Sequence, residues 1–250
     1  MYLNDVCMVA SDTTRTRAYI YALIRHQLLP RYVILLNNEA KDLLPGQSNQ
    51  KSSLDDQQLC EAGEDDFWSE ATFDQSASLT SLLKSVEIDY DIASSSDINH
   101  KSVIRLVQRR PESVFIFSGF GGVLLKKEIL SIGKKFLHVH GGYLPEYKGS
   151  TANYYSMLDS RRMGASAIFL TNEIDGGPIL LRRMFPIPKA TEDIDHIFDS
   201  AARAKVLIEV LKSYVDSGEW CLDLESDQDG DTYYVIHPVL KHIAILSKHK

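Results

Sequence analysis

The chain predicts an α/β three-layer sandwich built on a mainly parallel, twisted sheet. Three observations carry that expectation. From Leu3 to Ile187, short apolar runs rich in β-branched and aliphatic residues alternate with segments whose apolar positions recur at helical spacing. One run, Ser113–Phe117, opens directly into a glycine-rich turn, Ser118–Gly122. A long segment, Asp193–Val215, then places Ile194, Ile197, Phe198, Ala201, Ala204, Leu207, Ile208 and Leu211 on one helical face.

Taken in order, Leu3–Ala10 reads as a first buried strand. Ser11-Asp12-Thr13 caps a helix over Arg15–Leu28, which Pro30 stops, and Tyr32–Leu36 is a second strand. Strand, helix, strand at this spacing indicates a right-handed parallel βαβ unit. Asn38–Gln75 breaks the rhythm with turn-forming, polar and acidic residues and reads as an insertion, although Phe67, Trp68 and Phe73 suggest that part of it docks. Regular structure resumes with a helix at Leu79–Val86, a strand at Asp89–Ile92, a helix at Lys101–Arg109 and the strand Ser113–Phe117. A helical turn at Lys126–Ile132 leads to the central strand ending at His138 and His140. Ser150 is expected to cap a helix to about Leu158; strands follow at Ala165–Thr171 and Ile179–Ile187. The tail reads as two short strands, Thr232–Ile236 and Val239–Ile245, broken at Pro238, a short C-terminal β extension.

Composition narrows the class. Of 250 residues, 44% are hydrophobic and 24% charged, ordinary globular values that allow a sizeable core. No run reaches the roughly 18 apolar residues of a membrane span, and the first residues lack a signal-peptide pattern. Cys7, Cys60 and Cys221 are scattered and never in CxxC spacing, which argues for a reducing, cytoplasmic setting. The net charge of −7 belongs to one segment: Ser52–Leu83 holds eight acids and no Lys or Arg. No basic stripe with interleaved aromatics marks a nucleic-acid partner.

The chemistry gathers in FLHVHGGYLPEYKG, Phe136–Gly149. On a strand, His138 and His140 share one face while Val139 points to the other. Gly141-Gly142 then turns the chain. A second glycine-rich loop, Asn172–Pro178, carries Asp175, and an aspartate beside an imidazole raises its basicity and fixes its tautomer. The turn at Ser118–Gly122 lacks both the GxGxxG dinucleotide pattern and the P-loop Lys-Ser/Thr, which excludes both of those readings. His138, His140 and Asp175 could also serve as metal ligands in a metal-dependent hydrolase. In the tail, His237, Lys241 and His242 read as surface or interface residues.

GFGGVLLKKEIL, LHVHGGYLPEYKG and GASAIFLTNEIDGGPIL together resemble the formyltransferase domain of 10-formyltetrahydrofolate-dependent enzymes. That family includes glycinamide ribonucleotide formyltransferase, methionyl-tRNA formyltransferase and the sugar N-formyltransferases. The resemblance implies a Rossmann-like sheet and a catalytic domain over 1–190 (with the acidic insertion at about 39–77). The long helix and short strands of 191–250 would pack on it. It implies 10-formyltetrahydrofolate as formyl donor. His140 matches the family's catalytic histidine and Asp175 its aspartate, while His138 stands where the family has asparagine. In that position His138 would be an N–H donor to the reaction's oxyanion, with His140 as base and then acid. Phe120, Gly121, Gly122, Val123 and Leu124, with Asn172, Glu173 and Ile174, would line the pterin site. Tyr143, Tyr147, Lys148, Asn153 and Tyr154 would shape the acceptor pocket. The acceptor implied is a small-molecule amino sugar, often nucleotide-linked, because the chain lacks the glycine-rich phosphate loop of one relative and the basic character of another. A catalytically drifted, folate-binding member of the family is the alternative the His138 departure leaves open, and a homodimer is allowed.

Overall fold

The computed structural model describes residues 2–37, 70–187, 193–223 and 230–247. Its centre is a seven-stranded sheet. Along the chain its strands are β1 (Tyr2–Ala10), β2 (Leu29–Leu35), β3 (Tyr90–Ile92), β4 (Val114–Ser118), β5 (Lys135–His140), β7 (Arg162–Phe169) and β8 (Ile179–Pro186). In space the order is β3-β2-β1-β4-β5-β7-β8. The first five strands pair in parallel, whereas β7 runs antiparallel to both β5 and β8. The expected mainly parallel sheet is present, with an antiparallel edge.

Helices cover both faces. Helix α1 (Thr14–Arg25) and the long α6 (Asp199–Ser217) pack against each other and, with Leu137, Val139 and Ala167, enclose the larger core cluster. On the other face, Val103 and Val107 of α3 (Lys101–Arg109) pack on Phe115, Phe117 and Phe136. The alternation of β5 explains this division: Leu137 and Val139 feed one layer, Phe136 the other. Helix α1 starts where its sequence says it should, because the Thr13 hydroxyl accepts the Thr16 N–H at 3.1 Å. Smaller helices α2 (Leu79–Ser85) and α4 (Lys127–Leu130) complete the crossovers.

Three local expectations need correction. The helix after β6 (Tyr147–Gly149) is α5 (Ala152–Asp159), and its cap is Thr151 in a left-handed conformation, φ 53°, not Ser150. The long C-terminal helix begins with a π-helical turn, Ile194–Phe198, before α6. The tail is one strand and one helix. Strand β9 (Asp231–Tyr233) pairs with β6, but Pro238–Leu246 forms α7. Pro238 sits in the first turn, where its missing N–H costs nothing, and the His237 side chain accepts the Val239 N–H. The β-branched residues suggested a strand; the proline started a helix.

Of the acidic insertion, the described part docks. Glu70 is buried and meets Arg25 at 3.0 Å and His26 at 2.6 Å, while Phe73 packs on the Tyr21 ring. Phe67 and Trp68 lie outside the described residues. Among the described residues no helix is long and apolar enough to cross a membrane.

Candidate active site

Strand β5 ends at His140, and the two glycines that follow let other groups come close. His140 is 5% exposed and its Nε2–H donates to the Tyr147 carbonyl at 2.8 Å. A Cβ on Gly142 would stand 2.6 Å from that same Nε2 and 2.6 Å from the Tyr147 oxygen, so only glycine admits the bond. The tautomer follows. With Nε2 protonated, Nδ1 carries the lone pair, and it faces Asp175 Oδ2 at 3.4 Å. Burial lowers this imidazole's pKa, and the Asp175 carboxylate opposes that effect.

Asp175 arrives by a route the sequence did not reveal. Because β7 is antiparallel, its end lies beside the start of β5, where the Leu170 N–H bonds the Phe136 carbonyl. Five residues later Asp175 is at His140. The loop therefore travels the length of β5. Asp175 turns it in the left-handed region, φ 50°, and its Oδ2 accepts the Gly149 N–H at 2.8 Å, which ties the loop to β6.

His138 is half-buried, and its Nδ1–H donates to the Phe117 carbonyl of β4 at 3.4 Å. Burial first, then the charges of Arg15, Arg203 and His140, hold its pKa well below the ordinary 6.5. It is a neutral imidazole at pH 7.

The two arginines are the residues sequence reasoning missed. Arg15, in the first turn of α1, bonds the Gly119 carbonyl and reaches Ser118 Oγ at 3.4 Å. Arg203 on α6 donates to the Val139 carbonyl at 2.9 Å, between the two histidines, and pairs with Asp199 at 2.8 Å. Arg15 lies two residues past the loop read as a cap, and Arg203 stands between the apolar positions of the long helix. No sequence signal brings either to β5.

The expected pocket residues divide. Tyr147 is buried with its hydroxyl on Asp159, Asn153 bonds the Gly164 N–H and Asp199, and Tyr154 is buried against Asp195. Those three side chains are bonded within the chain and brace α5. Tyr143 and Lys148 remain half-buried near the histidine strand, with the Arg182 guanidinium 5.1 Å from the centre of the Tyr143 ring. Phe120 and Val123 are half-buried; Gly121, Gly122 and Leu124 are exposed, as are Asn172, Glu173 and Ile174. Asn99 braces the first of these loops through the Leu124 carbonyl and the Lys126 N–H. Among the described residues no group of three or more histidine, cysteine or acidic side chains is placed to hold a metal ion. The hydrolase reading thus has no ligand set there.

Sheet and cluster define a Rossmann-like α/β protein with two histidines and an aspartate gathered at the end of β5. The family described as "Formyl transferase" matches residues 10–211, and the chain belongs to that family. A methionyl-tRNA formyltransferase of Finegoldia magna is 24% identical over 98 residues, 39% of this chain and 32% of that protein. The chain spans about a third of the length of the first curated relatives it matches. A sugar N-formyltransferase from Shewanella sp. shares the fold with a TM-score of 0.55 at 11% identity, over 97% of this chain and 87% of that one. WlaRD, a sugar 3N-formyl transferase solved in the presence of dTDP and 5-N-formyl-THF, does so at a TM-score of 0.50 and 13% identity, over 92% and 69%.

Proposed function

We propose that the protein transfers a formyl group from 10-formyltetrahydrofolate to the primary amine of a small acceptor, an amino sugar. The observation that carries this is a pair of acceptors fixed 3.4 Å apart at the strand end: His140 Nδ1, with no donor among the described residues, and Asp175 Oδ2, which takes the Gly149 N–H and keeps a further lone pair. Two acceptors that close together can share one N–H of an amine and aim its nitrogen, which leaves its other N–H to be removed. Asp175 also favours the positive charge that the nitrogen gains as it attacks.

The reaction needs four services. A neutral amine must be presented, its surplus proton must leave, and the departing folate nitrogen must gain one. The developing oxyanion needs a positive field, which Arg15 and Arg203 supply beside β5. Loops 119–124 and 171–178, exposed over Gly121, Gly122, Leu124 and 171–174, join the cluster through Arg15 and Asp175, and the pterin would meet their backbone groups. Fold relatives that modify sugars, one of them solved with 5-N-formyl-THF, support the choice of donor and acceptor. Tyr143 offers an aromatic face of the kind that stacks on a sugar or base.

The test is release of tetrahydrofolate from 10-formyltetrahydrofolate in the presence of a panel of amino sugars, free and nucleotide-linked. Release that depends on one of these amines is expected. Release at the same rate without any amine points to hydrolysis and overturns the acceptor assignment.

A further inference from the structure

We propose that His138 is the proton acceptor of the attack step, taking the amine's surplus proton on Nε2. This rests on the formyl-transfer reading and reverses the role that its position suggests. An asparagine there could only donate an N–H to the oxyanion. The histidine present spends its N–H elsewhere: Nδ1–H points at the Phe117 carbonyl, a group that only accepts. In the neutral ring Nε2 then carries a lone pair. That atom has no hydrogen-bond partner among the described residues, and it is not among their buried, unpartnered polar atoms. It is open to a ligand.

The neighbouring charges sustain this state. Arg15 from α1 and Arg203 from α6 stand on the positive side, with the His140 ring on β5. Asp199 is paired with Arg203, and Asp175 faces His140. Nothing acidic is bonded to His138 itself. A ring so placed stays unprotonated and ready, although weakly basic. Weak basicity suits the step, because forming the C–N bond acidifies the attacking nitrogen before the proton moves.

The atoms balance. The amine nitrogen bonds the formyl carbon and the carbonyl electrons move to oxygen. His138 Nε2 takes one proton from the nitrogen. As the oxyanion collapses, the bond from carbon to the folate nitrogen breaks, and that nitrogen receives the proton from His138. The products are a formamide and tetrahydrofolate, and the imidazole is neutral again. His140 and Asp175 keep their lone pairs throughout and share the nitrogen's other N–H, which holds it in place.

Two measurements test the assignment together. In 15N-histidine-labelled protein, long-range proton–nitrogen spectra at pH 7 should show His138 with Nδ1 protonated and Nε2 bare. The signals are identified by their loss in His138→Asn. An Nε2–H tautomer or an imidazolium overturns the proposal. In the tetrahydrofolate-release assay with 10-formyltetrahydrofolate and amino sugars, His138→Asn should lose a hundredfold or more in kcat. Its affinity for 5-formyltetrahydrofolate should stay within a few-fold, which shows an intact fold. An Asn variant within tenfold of the parent means a donor, not an acceptor, and sinks the idea. If the parent protein itself releases nothing with any acceptor, the formyl-transfer reading falls and this role falls with it, whatever the variant does.

Discussion

Replacing Asp175 by Asn removes one charge and little else. Asn tolerates the left-handed backbone at least as well as Asp, and its amide oxygen can still accept the Gly149 N–H. What disappears is the carboxylate's attraction for a cationic nitrogen at about the distance of His140 Nδ1, 3.4 Å. Coulomb's law gives about 1 kcal/mol for that pair in bulk water and about 5 kcal/mol at an effective dielectric of about 20. The Asp175 side chain is 12% exposed, so the value lies toward the upper figure. At about 1.4 kcal/mol per factor of ten, kcat/KM for the amine should fall about a hundred- to a thousandfold. Turned the other way, the amide NH2 would donate to His140 Nδ1 and give up the Gly149 bond. Steady-state tetrahydrofolate release measures the loss, and calorimetry with 5-formyltetrahydrofolate measures donor binding, which should change only a few-fold. A variant that turns over within threefold of the parent would refute the reasoning.

The glycine after the histidine strand gives a second prediction. Gly142→Ala would put a Cβ 2.6 Å from His140 Nε2 and from the Tyr147 oxygen, so their bond must open. Urea denaturation should show a loss of about 1–3 kcal/mol, with turnover reduced as well. Stability should also depend on pH in a stated direction. His138 titrates well below 6.5 in the folded chain, so below 6.5 the unfolded chain binds more protons. Its contribution is complete above pH 6.5 and lost as pH falls below it, by up to about 1.4 kcal/mol per pH unit. Denaturation midpoints from pH 7 to 5 should slope accordingly, and His138→Asn should flatten the slope; equal slopes would contradict the burial argument.

The fold was largely legible because each strand of the sheet is a compact apolar run and each helix has its periodic face. β5 is the clearest case: Phe136, Leu137 and Val139 had to be covered on both sides, which placed the histidines at a strand end. The tail was misread because Val239, Ile243 and Ile245 favour strands locally, whereas Pro238 and the His237 cap decide the helix. Asp175 was legible as a partner for His140 from its glycine loop. Its path was not, because that depends on β7 running antiparallel, a pairing no local pattern reports. Tautomers were out of reach for the same reason. They are set by the Phe117 and Tyr147 carbonyls, contacts across strands from atoms every residue possesses. Tyr147, Asn153 and Tyr154 looked like pocket residues by proximity in sequence; their bonds from β6 and α5 to Asp159, Asp199 and Asp195 were not legible there.

The most direct test of the central claim follows the formyl carbon itself. The protein is incubated with 10-formyltetrahydrofolate labelled with 13C in the formyl group and an amino-sugar panel, and the products are read by mass spectrometry. Formyl transfer to an amine predicts the label in one N-formylated sugar, in step with tetrahydrofolate release. Label found only in formate, or only in unconsumed donor, would contradict it.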